Sequence, residues 1–233
     1  MPGSIATFAT DDPQALHTAW YEGLSNAYPH GVLGDALEPT VLRAMSDASA
    51  DACAPVVEAG PGFVFEDIAP RLADVDGDGR PEVIAVRTAF DAGAQLVVYT
   101  AQGDTLVPLA ATPHIGRRNR WLAPAAIADL DGDGAVEIAY VDRPHLAKTL
   151  RIWRYADGTF REVAAATGVT NHRIGEAFIS GGLRRCGDTP EIVLASADWS
   201  RLLAVTFDGR GIAARDLGRW SASAAEEALS CAR

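Results

Sequence analysis

The stretch Asp74-Val-Asp-Gly-Asp-Gly-Arg-Pro-Glu82, called loop 1 below, places three aspartates at alternate positions of a glycine-containing segment. A second stretch, Asp129-Leu-Asp-Gly-Asp-Gly-Ala-Val-Glu137 or loop 2, has the same spacing of acids and starts 55 residues later (129 − 74 = 55). Each loop leads into a short apolar run with β-branched residues, Val83–Val86 and Ile138–Val141. The two stretches therefore indicate a repeated unit in which an acidic loop precedes a buried strand.

The chemistry of these loops follows from the crowding of their carboxylates. Three carboxylates at such spacing repel one another unless a cation shares their oxygens. A flexible cage made only of oxygen ligands suits Ca²⁺ better than Mg²⁺, because Mg²⁺ requires a stricter octahedron and keeps its waters. Gly77 and Gly79 allow the backbone to turn through conformations that a side chain would obstruct. We therefore expect Ca²⁺ in both loops.

An EF-hand loop begins in the same way but ends with a bidentate Glu at its twelfth position. That position is Ala85 after the first loop and Tyr140 after the second, so neither can be an EF-hand. An acid instead stands at the ninth position of each loop, and the following residues predict a strand where an EF-hand has a helix. The predicted arrangement is strand, calcium loop, strand.

The pattern Asp-x-Asp-Gly-Asp-Gly-x-x-Glu, preceded by Leu72-Ala73 or Ile127-Ala128, resembles the FG-GAP or VCBS-type repeats of integrin α-subunit propellers and many bacterial secreted proteins. In that family each repeat is a four-stranded propeller blade, and the loop between its first two strands holds Ca²⁺. The resemblance implies two calcium sites. One would use the side chains of Asp74, Asp76, Asp78 and Glu82 with the carbonyl of Arg80, and the other those of Asp129, Asp131, Asp133 and Glu137 with the carbonyl of Ala135.

Alternating segments and turns after each loop predict the remaining strands of each blade. They are Gln95–Tyr99 and Leu106–Leu109 after loop 1, with a turn at 101–104, and Thr149–Tyr155 and Phe160–Ala165 after loop 2, with a turn at 156–159. A third copy is predicted from strands at Phe178–Leu183, Glu191–Ala195, Arg201–Phe207 and Ile212–Leu217, with a turn at 208–211. Its loop 3, residues 183–191, has Leu183, Arg185 and Gly187 where carboxylates should be, so this copy keeps the strand pattern without the metal ligands.

The sequence thus predicts an all-β, small propeller-like domain of about four blades of four-stranded repeats, with short helical segments at both ends. An open fragment completed by a second copy is the alternative, since uncovered edge strands invite pairing and could form a homodimer. Upstream, Tyr28–Asp35, Pro39–Ala44, Val56-Val57 and Phe63–Phe65 are the candidate strands of a first blade. The predicted boundaries are a partly helical segment 1–27, blades at 28–69, 70–119, 120–177 and 178–220 within a repeat domain 28–222, and a helical tail 223–233.

The terminal helices are predicted from their capping residues. Asp12 as N-cap with Pro13 at the first helical position precedes Leu16, Ala19, Trp20 and Leu24 at helical spacing. At the other end, Ser223-Ala-Ala-Glu226 has the form of a capping box. We expect both helices to cover blade edges or the ends of the barrel.

Charge and hydropathy exclude some partners. The net charge of −11 argues against nucleic acid and anionic membrane surfaces, which select basic patches. No stretch approaches the ~20 apolar residues of a membrane span, so membrane insertion is not expected. The first ten residues lack the features of a secretory signal. Calcium sites of modest affinity nevertheless fill mainly outside the cytosol, so the expected location is periplasmic or secreted.

Three cysteines, Cys53, Cys186 and Cys231, leave one thiol over if a disulfide forms. None stands in a CxxC pair or at zinc-ligand spacing from a histidine. We expect one bridge from Cys231 to Cys186 or Cys53, the alternative being three reduced, buried thiols.

Common hydrolase and nucleotide-binding signatures are absent from the sequence. Polar clusters instead fall in the links between blades, where Arg and Trp would favour a carboxylate, glycan or protein loop. The candidate ligand-binding residues are Arg120, Trp121, His172, Arg173 and Glu176. The sequence therefore favours an extracytoplasmic binding or scaffolding module with structural calcium and an unidentified protein or glycan ligand. The alternative is a propeller hydrolase or lyase with its site in the channel mouth.

Overall fold

Eighteen β-strands form the regular structure of the computed structural model together with one α-helix and one 3₁₀ turn, over the described residues 5–34, 36–49 and 54–232. The strands pair almost entirely antiparallel in three sheets. This confirms the predicted all-β fold class. Two compact units divide the chain, one of residues 1–121 with 157–159 and one of residues 122–156 with 160–233. Within the described ranges, no helix has the length and apolar character needed to cross a lipid bilayer.

The first unit contains a single nine-stranded sheet. Its strands run in the order β1-β2-β3-β4-β9-β8-β7-β5, and β6 also pairs with β7. They are β1 (Ile5–Thr7), β2 (Thr18–Ser25), β3 (Glu38–Met45), β4 (Val56–Glu58), β5 (Phe63–Phe65), β6 (Arg71–Ala73), β7 (Glu82–Ala89), β8 (Gly93–Gln102) and β9 (Thr105–Ala111). A 3₁₀ turn, Asp47–Ser49, follows β3.

Strand β7 lies in the middle of this unit's core. Its residues Val83, Ile84, Ala85 and Val86 are all fully buried, as expected for a continuous apolar run with both faces covered. Val83 and Ala85 belong to the main apolar cluster of this unit, which also contains Leu42, Phe65 and Tyr99. The acidic segment between β6 and β7 is therefore attached to the most deeply buried strand of its sheet.

The N-terminal helix predicted from Asp12 to Leu24 is wrong, because this segment contains strand β2. Ala19 and Tyr21 are buried while Leu24 is exposed, which is the period of two of a strand. Ala19 pairs with Ala44 and Tyr21 with Leu42 of β3, so a partner strand decides the conformation. Asp12 does cap, but it caps a turn, in which its side chain accepts a hydrogen bond from the N–H of Gln14 (2.9 Å).

The predicted first blade also differs from the observed sheet. Residues 28–34 form turns and irregular backbone around the buried Tyr28, so the strand predicted over Tyr28–Asp35 is wrong for its described part, and Asp35 lies outside the described residues. Phe63–Phe65 is a strand as expected, but it pairs with β7 of the following repeat. Strand β4 runs alongside β9 through Val56 and Thr105, which joins both repeats into one sheet. The division of the chain into blades at 28–69, 70–119, 120–177 and 178–220 stays a prediction.

The second unit contains a four-stranded and a five-stranded sheet. The first has the order β10-β11-β12-β13, which is the four-stranded repeat predicted around loop 2, and the second has the order β14-β16-β17-β18 with β15 also paired to β16. Their strands are β10 (Leu122–Ala128), β11 (Glu137–Asp142), β12 (Thr149–Ala156), β13 (Thr159–Thr167), β14 (Val169–Thr170), β15 (Gly182–Arg184), β16 (Glu191–Ser196), β17 (Arg201–Phe207) and β18 (Ile212–Arg219). In the third copy only the end of the predicted Phe178–Leu183 strand forms, as β15.

Near the C-terminus lies helix α1 (Ala222–Leu229), whose N-cap is two residues earlier than the capping box Ser223–Glu226 predicted. Ser221 is the N-cap, and its side chain accepts a hydrogen bond from the N–H of Ala224 at 3.0 Å, so Ser223 lies inside the helix. Ala224, Ala225 and Ala228 pack the helix on Val193 and Leu202 of the five-stranded sheet. The helix therefore covers a sheet, as expected for a tail of this kind.

A disulfide joins Cys186, after β15, to Cys231, just beyond α1. The sequence left two partners open for Cys231, and the structure has the bridge to Cys186. Cys53 lies outside the described residues. The bridge ties the C-terminal helix to the sheet on which its alanines pack, so it supports the same contact covalently.

Candidate metal centre

Loop 1 connects β6 to β7, whose register pairs Ala73 with Glu82 at the base of the loop. Asp74 organises the turn, because its two carboxylate oxygens accept hydrogen bonds from the N–H groups of Gly77 (2.8 Å) and Gly79 (2.9 Å). Both glycines have positive φ, 79° and 88°, in the region that other residues rarely adopt. The glycines predicted to permit a tight turn therefore do so.

The other acids of loop 1 complete an oxygen-rich concavity. Asp78 accepts a hydrogen bond from the N–H of Arg80 at 2.7 Å, while Asp76 and Asp78 themselves are exposed to solvent. Carboxylate oxygens of Asp74, Asp76 and Asp78 lie within 4.8 Å of one another, close enough to share one ion. The side chain of Arg80 turns away from them and pairs with Asp12 at 3.0 Å.

Glu82 forms the buried floor of loop 1. It is only 2% exposed, and its Oε2 accepts a hydrogen bond from the N–H of Val75 at 2.8 Å. Burial raises the pKa of Glu82 to about 7, repulsion from the three loop aspartates adds to the increase, and the Val75 hydrogen bond opposes it. Within the described ranges, none of the four loop 1 carboxylates is paired with a cationic side chain. Backbone N–H groups donate hydrogen bonds to these carboxylates instead.

Loop 2 connects β10 to β11 and repeats the backbone arrangement of loop 1. Asp129 accepts from the N–H groups of Gly132 (2.7 Å) and Gly134 (3.0 Å), and Asp133 accepts from that of Ala135 (2.9 Å). Glu137 is fully buried and accepts from the N–H of Leu130 at 2.9 Å. The two loops therefore share one internal hydrogen-bond pattern, which explains why their sequences match at every acidic position.

The difference between the loops is Arg154 of β12. Its guanidinium donates hydrogen bonds to Asp131 (2.8 Å), Asp133 (2.8 Å) and Glu137 (2.5 Å). Burial raises the pKa of Glu137, whereas the Leu130 N–H and Arg154 both act to lower it. The side chain of Asp131 is also just 7% exposed. An added Cβ at Gly209 would lie 2.7 Å from Asp131 Oδ2, so the turn between β17 and β18 packs closely on this carboxylate.

Both loops contain acids placed closely enough to hold a metal ion, and they differ in whether a guanidinium already binds those acids. In loop 1 a hard cation would meet three convergent carboxylates and the buried Glu82, whose pKa is raised by burial and further by repulsion from the loop aspartates. In loop 2 the carboxylate oxygens of Asp129, Asp131 and Glu137 converge, but three of the four loop carboxylates already bind the Arg154 guanidinium. Loop 1 residues that would hold the ion are the predicted set of Asp74, Asp76, Asp78 and Glu82, with the carbonyl of Arg80.

Loop 3 shows how the repeat is built without carboxylates at the first, third and fifth loop positions. Glu191 begins β16, the position that Glu82 and Glu137 occupy at the start of β7 and β11. It accepts hydrogen bonds from Arg184 (2.5 Å) and Arg215 (2.7 Å). Burial alone would raise the pKa of Glu191, but the hydrogen bonds from these two arginines lower it below its ordinary value. Guanidinium groups therefore supply the positive charge at this third acid.

The candidate ligand-binding residues are less accessible than the sequence suggested. Trp121 is 2% exposed and its indole N–H donates to the backbone carbonyl of Glu66 at 2.7 Å. His172 is fully buried, with hydrogen bonds to the carbonyl of Glu176 (2.9 Å) and to His145 (3.0 Å). Both side chains are enclosed by the protein, and their binding role stays a prediction. A binding role for Arg120, Arg173 and Glu176 stays a prediction.

Sequence reasoning missed Arg154 and also a buried pair in the first unit. Glu66 is fully buried, contacts His30 Nδ1 through a hydrogen bond and accepts another from Thr88 Oγ1 at 2.9 Å. Burial raises the pKa of Glu66, and its bonds to His30 and Thr88 oppose that rise. Nothing in the local sequence pairs residues 30 and 66. Arg154, by contrast, stands opposite Glu137 in the β11–β12 register, which a strand alignment could have revealed.

The antiparallel sheets and acidic loops define a β-rich repeat protein. A family model described as an FG-GAP-like repeat matches residues 74–140, which span both loops and the strands between them. This match confirms the resemblance drawn from the sequence, and the chain carries an FG-GAP-type repeat region. No curated protein matches the chain.

Proposed function

We propose that the chain is a calcium-stabilised repeat module and that loop 1 is its calcium site. The observation that carries this proposal is the environment of Glu82. A buried carboxylate faces three aspartates with no cationic side chain among the described residues to balance them. Burying a carboxylate without a cationic partner is costly, and a divalent cation would offset that cost directly.

The role of the ion in this proposal is structural. It would join the turn between β6 and β7 to Glu82, the first residue of the most buried strand in the first unit. Because the unfolded chain holds no preformed cage, the free energy of calcium binding would add to the free energy of unfolding. The sequence predicts the same role for loop 2, but Arg154 changes that expectation.

An extracytoplasmic location is part of the proposal. The Cys186–Cys231 disulfide supports it, because such bridges persist mainly in oxidising compartments. Sites of modest affinity also fill readily at the calcium concentrations found outside the cytosol. In that setting the chain would act as a binding or scaffolding module, with calcium holding the repeat rigid and a protein or glycan as ligand.

Thermal unfolding with and without calcium tests the proposal. The apparent melting temperature should fall in EGTA and recover on adding CaCl₂, whereas MgCl₂ at the same concentration should restore little of it. Asp78→Asn should abolish most of this calcium response, since it removes one ligand charge while preserving the side-chain oxygen that accepts the Arg80 N–H. An exposed acid outside the loops, Asp104→Asn, is the matched control. A wild-type melting temperature that is insensitive to calcium would refute the proposal.

A further inference from the structure

The guanidinium of Arg154, on β12, lies among the loop 2 carboxylates, where a cation is expected. Arg154 reaches three carboxylates with its three nitrogens, and two of those carboxylates belong to the side chains Asp131 and Glu137, which are 7% and 0% exposed. Charge-assisted hydrogen bonds of this kind are roughly twice as strong as neutral ones. The arrangement resembles the ligand sphere of an ion more than an isolated surface salt bridge.

The strand register explains why only one of the two acidic loops has this arginine. Arg154 pairs directly with Glu137 in the β11–β12 ladder. In the first repeat Val83 pairs with Tyr99, so the residue beside Glu82 is Thr100, whose side chain carries no charge. The residue paired with the ninth-position acid, Arg154 in one hairpin and Thr100 in the other, therefore decides whether a cationic side chain reaches the loop.

Loop 3 provides an internal comparison. Its ninth-position acid, Glu191, is held by Arg184, whose side chain is 2% exposed, and by Arg215. The three repeats thus form a series. In loop 1 no arginine of the described residues pairs with the four carboxylates, in loop 2 Arg154 pairs with three of the four, and in loop 3 two arginines pair with Glu191.

From this series we propose that Arg154 is the resident cation of loop 2. The guanidinium closes loop 2 in the absence of calcium, and Ca²⁺ reaches these carboxylates only by displacing it. The inference rests on the proposed calcium binding at loop 1, because it predicts that two loops with the same acidic residues differ in metal dependence. The chain should then bind one Ca²⁺ tightly rather than two.

Competition between Ca²⁺ and Arg154 for the same carboxylates should lower the calcium affinity of loop 2. Calcium entering loop 2 must first break three hydrogen bonds to Arg154, whereas calcium entering loop 1 displaces no cationic side chain of the described residues and relieves repulsion. We therefore expect the calcium affinity of loop 2 to be at least about 100-fold below that of loop 1, since each charge-assisted bond alone is worth about tenfold or more.

Calcium titration by calorimetry on the full chain tests the inference. The wild type should bind one Ca²⁺, and Asp76→Asn in loop 1 should remove that binding. Arg154→Gln should bind two, because the loop 2 carboxylates are released. Arg151→Gln is the matched control, since Arg151 lies on the same strand with similar exposure but pairs with Asp142 and Glu162 outside the loop. It should still bind one.

Unfolding in EGTA gives a second, independent measurement. Both arginine variants should melt below the wild type in EGTA, because each loses ion pairs to a buried acid. Calcium should restore Arg154→Gln further than it restores Arg151→Gln. If Arg154→Gln does not fold in EGTA, Arg154→Lys keeps a cation without the fork of donors, and it should show second-site binding at least about tenfold tighter than the wild type.

The outcomes separate this inference from the proposed function. Two sites of similar affinity in the wild type, or one site in both the wild type and Arg154→Gln, would overturn the role of Arg154 while calcium at loop 1 stands. No binding by the wild type with one site in Arg154→Gln would refute calcium at loop 1 and support the role of Arg154. No binding by either protein would refute both.

Discussion

The carboxylate of Glu82 accepts a hydrogen bond from the backbone N–H of Val75 at 2.8 Å, across the whole width of loop 1. The equivalent bond in loop 2 joins Glu137 to Leu130 at 2.9 Å. In each repeat the first residue of a buried strand thus holds the start of the acidic loop. This bond does not require an ion, so the loop keeps its shape while the cation that balances its charge can differ between repeats.

Replacing Glu82 with Gln should stabilise the calcium-free protein and weaken its response to calcium. The amide oxygen of Gln can still accept the Val75 N–H, but the fourth negative charge and its repulsion with the aspartates are gone. We expect the calcium-free free energy of unfolding at pH 8 to rise by on the order of 1 kcal/mol. Chemical denaturation in EGTA and in calcium measures both effects. A destabilised calcium-free variant with an unchanged calcium response would contradict the role given to this acid.

Removing the disulfide should destabilise the second unit. Cys186 and Cys231 are 45 residues apart, and a closed loop of this length stabilises by roughly 2–4 kcal/mol through the unfolded state. The double variant Cys186→Ser with Cys231→Ser should therefore melt at a lower temperature, and α1 should lose protection in hydrogen exchange. Addition of a reductant to this variant is the control and should have no further effect. Equal stability of the variant and wild type would be inconsistent with the bridge.

Gly209→Ala should perturb loop 2 from a distant part of the sequence. Its φ of 79° disfavours a side chain, and the new Cβ would lie 2.7 Å from Asp131 Oδ2. We expect a loss of about 1–3 kcal/mol, from backbone strain and displacement of the carboxylate. Gly211→Ala in the same turn is the control, because no heavy atom lies within 4 Å of its added Cβ. Similar denaturation midpoints for the two variants would argue against the close contact.

Stability should fall as the pH drops below 6.5 in a manner that depends on His172. Burial lowers the pKa of His172 below its ordinary value of 6.5, and the Glu176 carbonyl opposes this shift. In the interval between the folded pKa and 6.5 the unfolded state binds more protons, so the free energy of unfolding rises with pH there.

The measurement for His172 is the difference between the wild type and His172→Gln in denaturation midpoints from pH 7.5 to 5. One histidine changes the free energy of unfolding by at most ~1.4 kcal/mol per pH unit. The histidines that do not contact His172 cancel in this difference. Above pH 7 the difference should be constant, and below 6.5 the wild type should lose stability faster than the variant. Parallel profiles through the whole range would show that His172 does not titrate in this way.

The strands beside the loops were predictable because their signals are local. Acidic residues at fixed spacing, followed by an apolar run, indicate both the loop and strand β7 or β11 within about fifteen residues of sequence. The N-terminal segment was not predictable in this way, since Leu16, Ala19, Trp20 and Leu24 suit a helix as well as a strand. Its conformation depends on β3, more than a dozen residues further along the chain.

In the candidate site, too, the local features were predictable from the sequence and the long-range contacts were not. The four acids of each loop could be identified from their spacing, but the cation beside loop 2 could not, because Arg154 reaches it only through the pairing of β12 with β11. The burial of Trp121 and His172 likewise depends on segments distant in sequence, such as Glu66 for Trp121. Motif spacing defines the acidic residues of a loop, whereas sheet register determines which charges face them.

The most direct test of calcium binding at loop 1 is a crystal structure with anomalous data from protein grown in calcium. We predict an anomalous peak in loop 1, with oxygens of Asp74, Asp76, Asp78 and Glu82 and the carbonyl of Arg80 at about 2.3–2.6 Å. In loop 2 the guanidinium of Arg154 should remain in contact with Glu137. A loop 1 without an anomalous peak at saturating calcium would contradict the account.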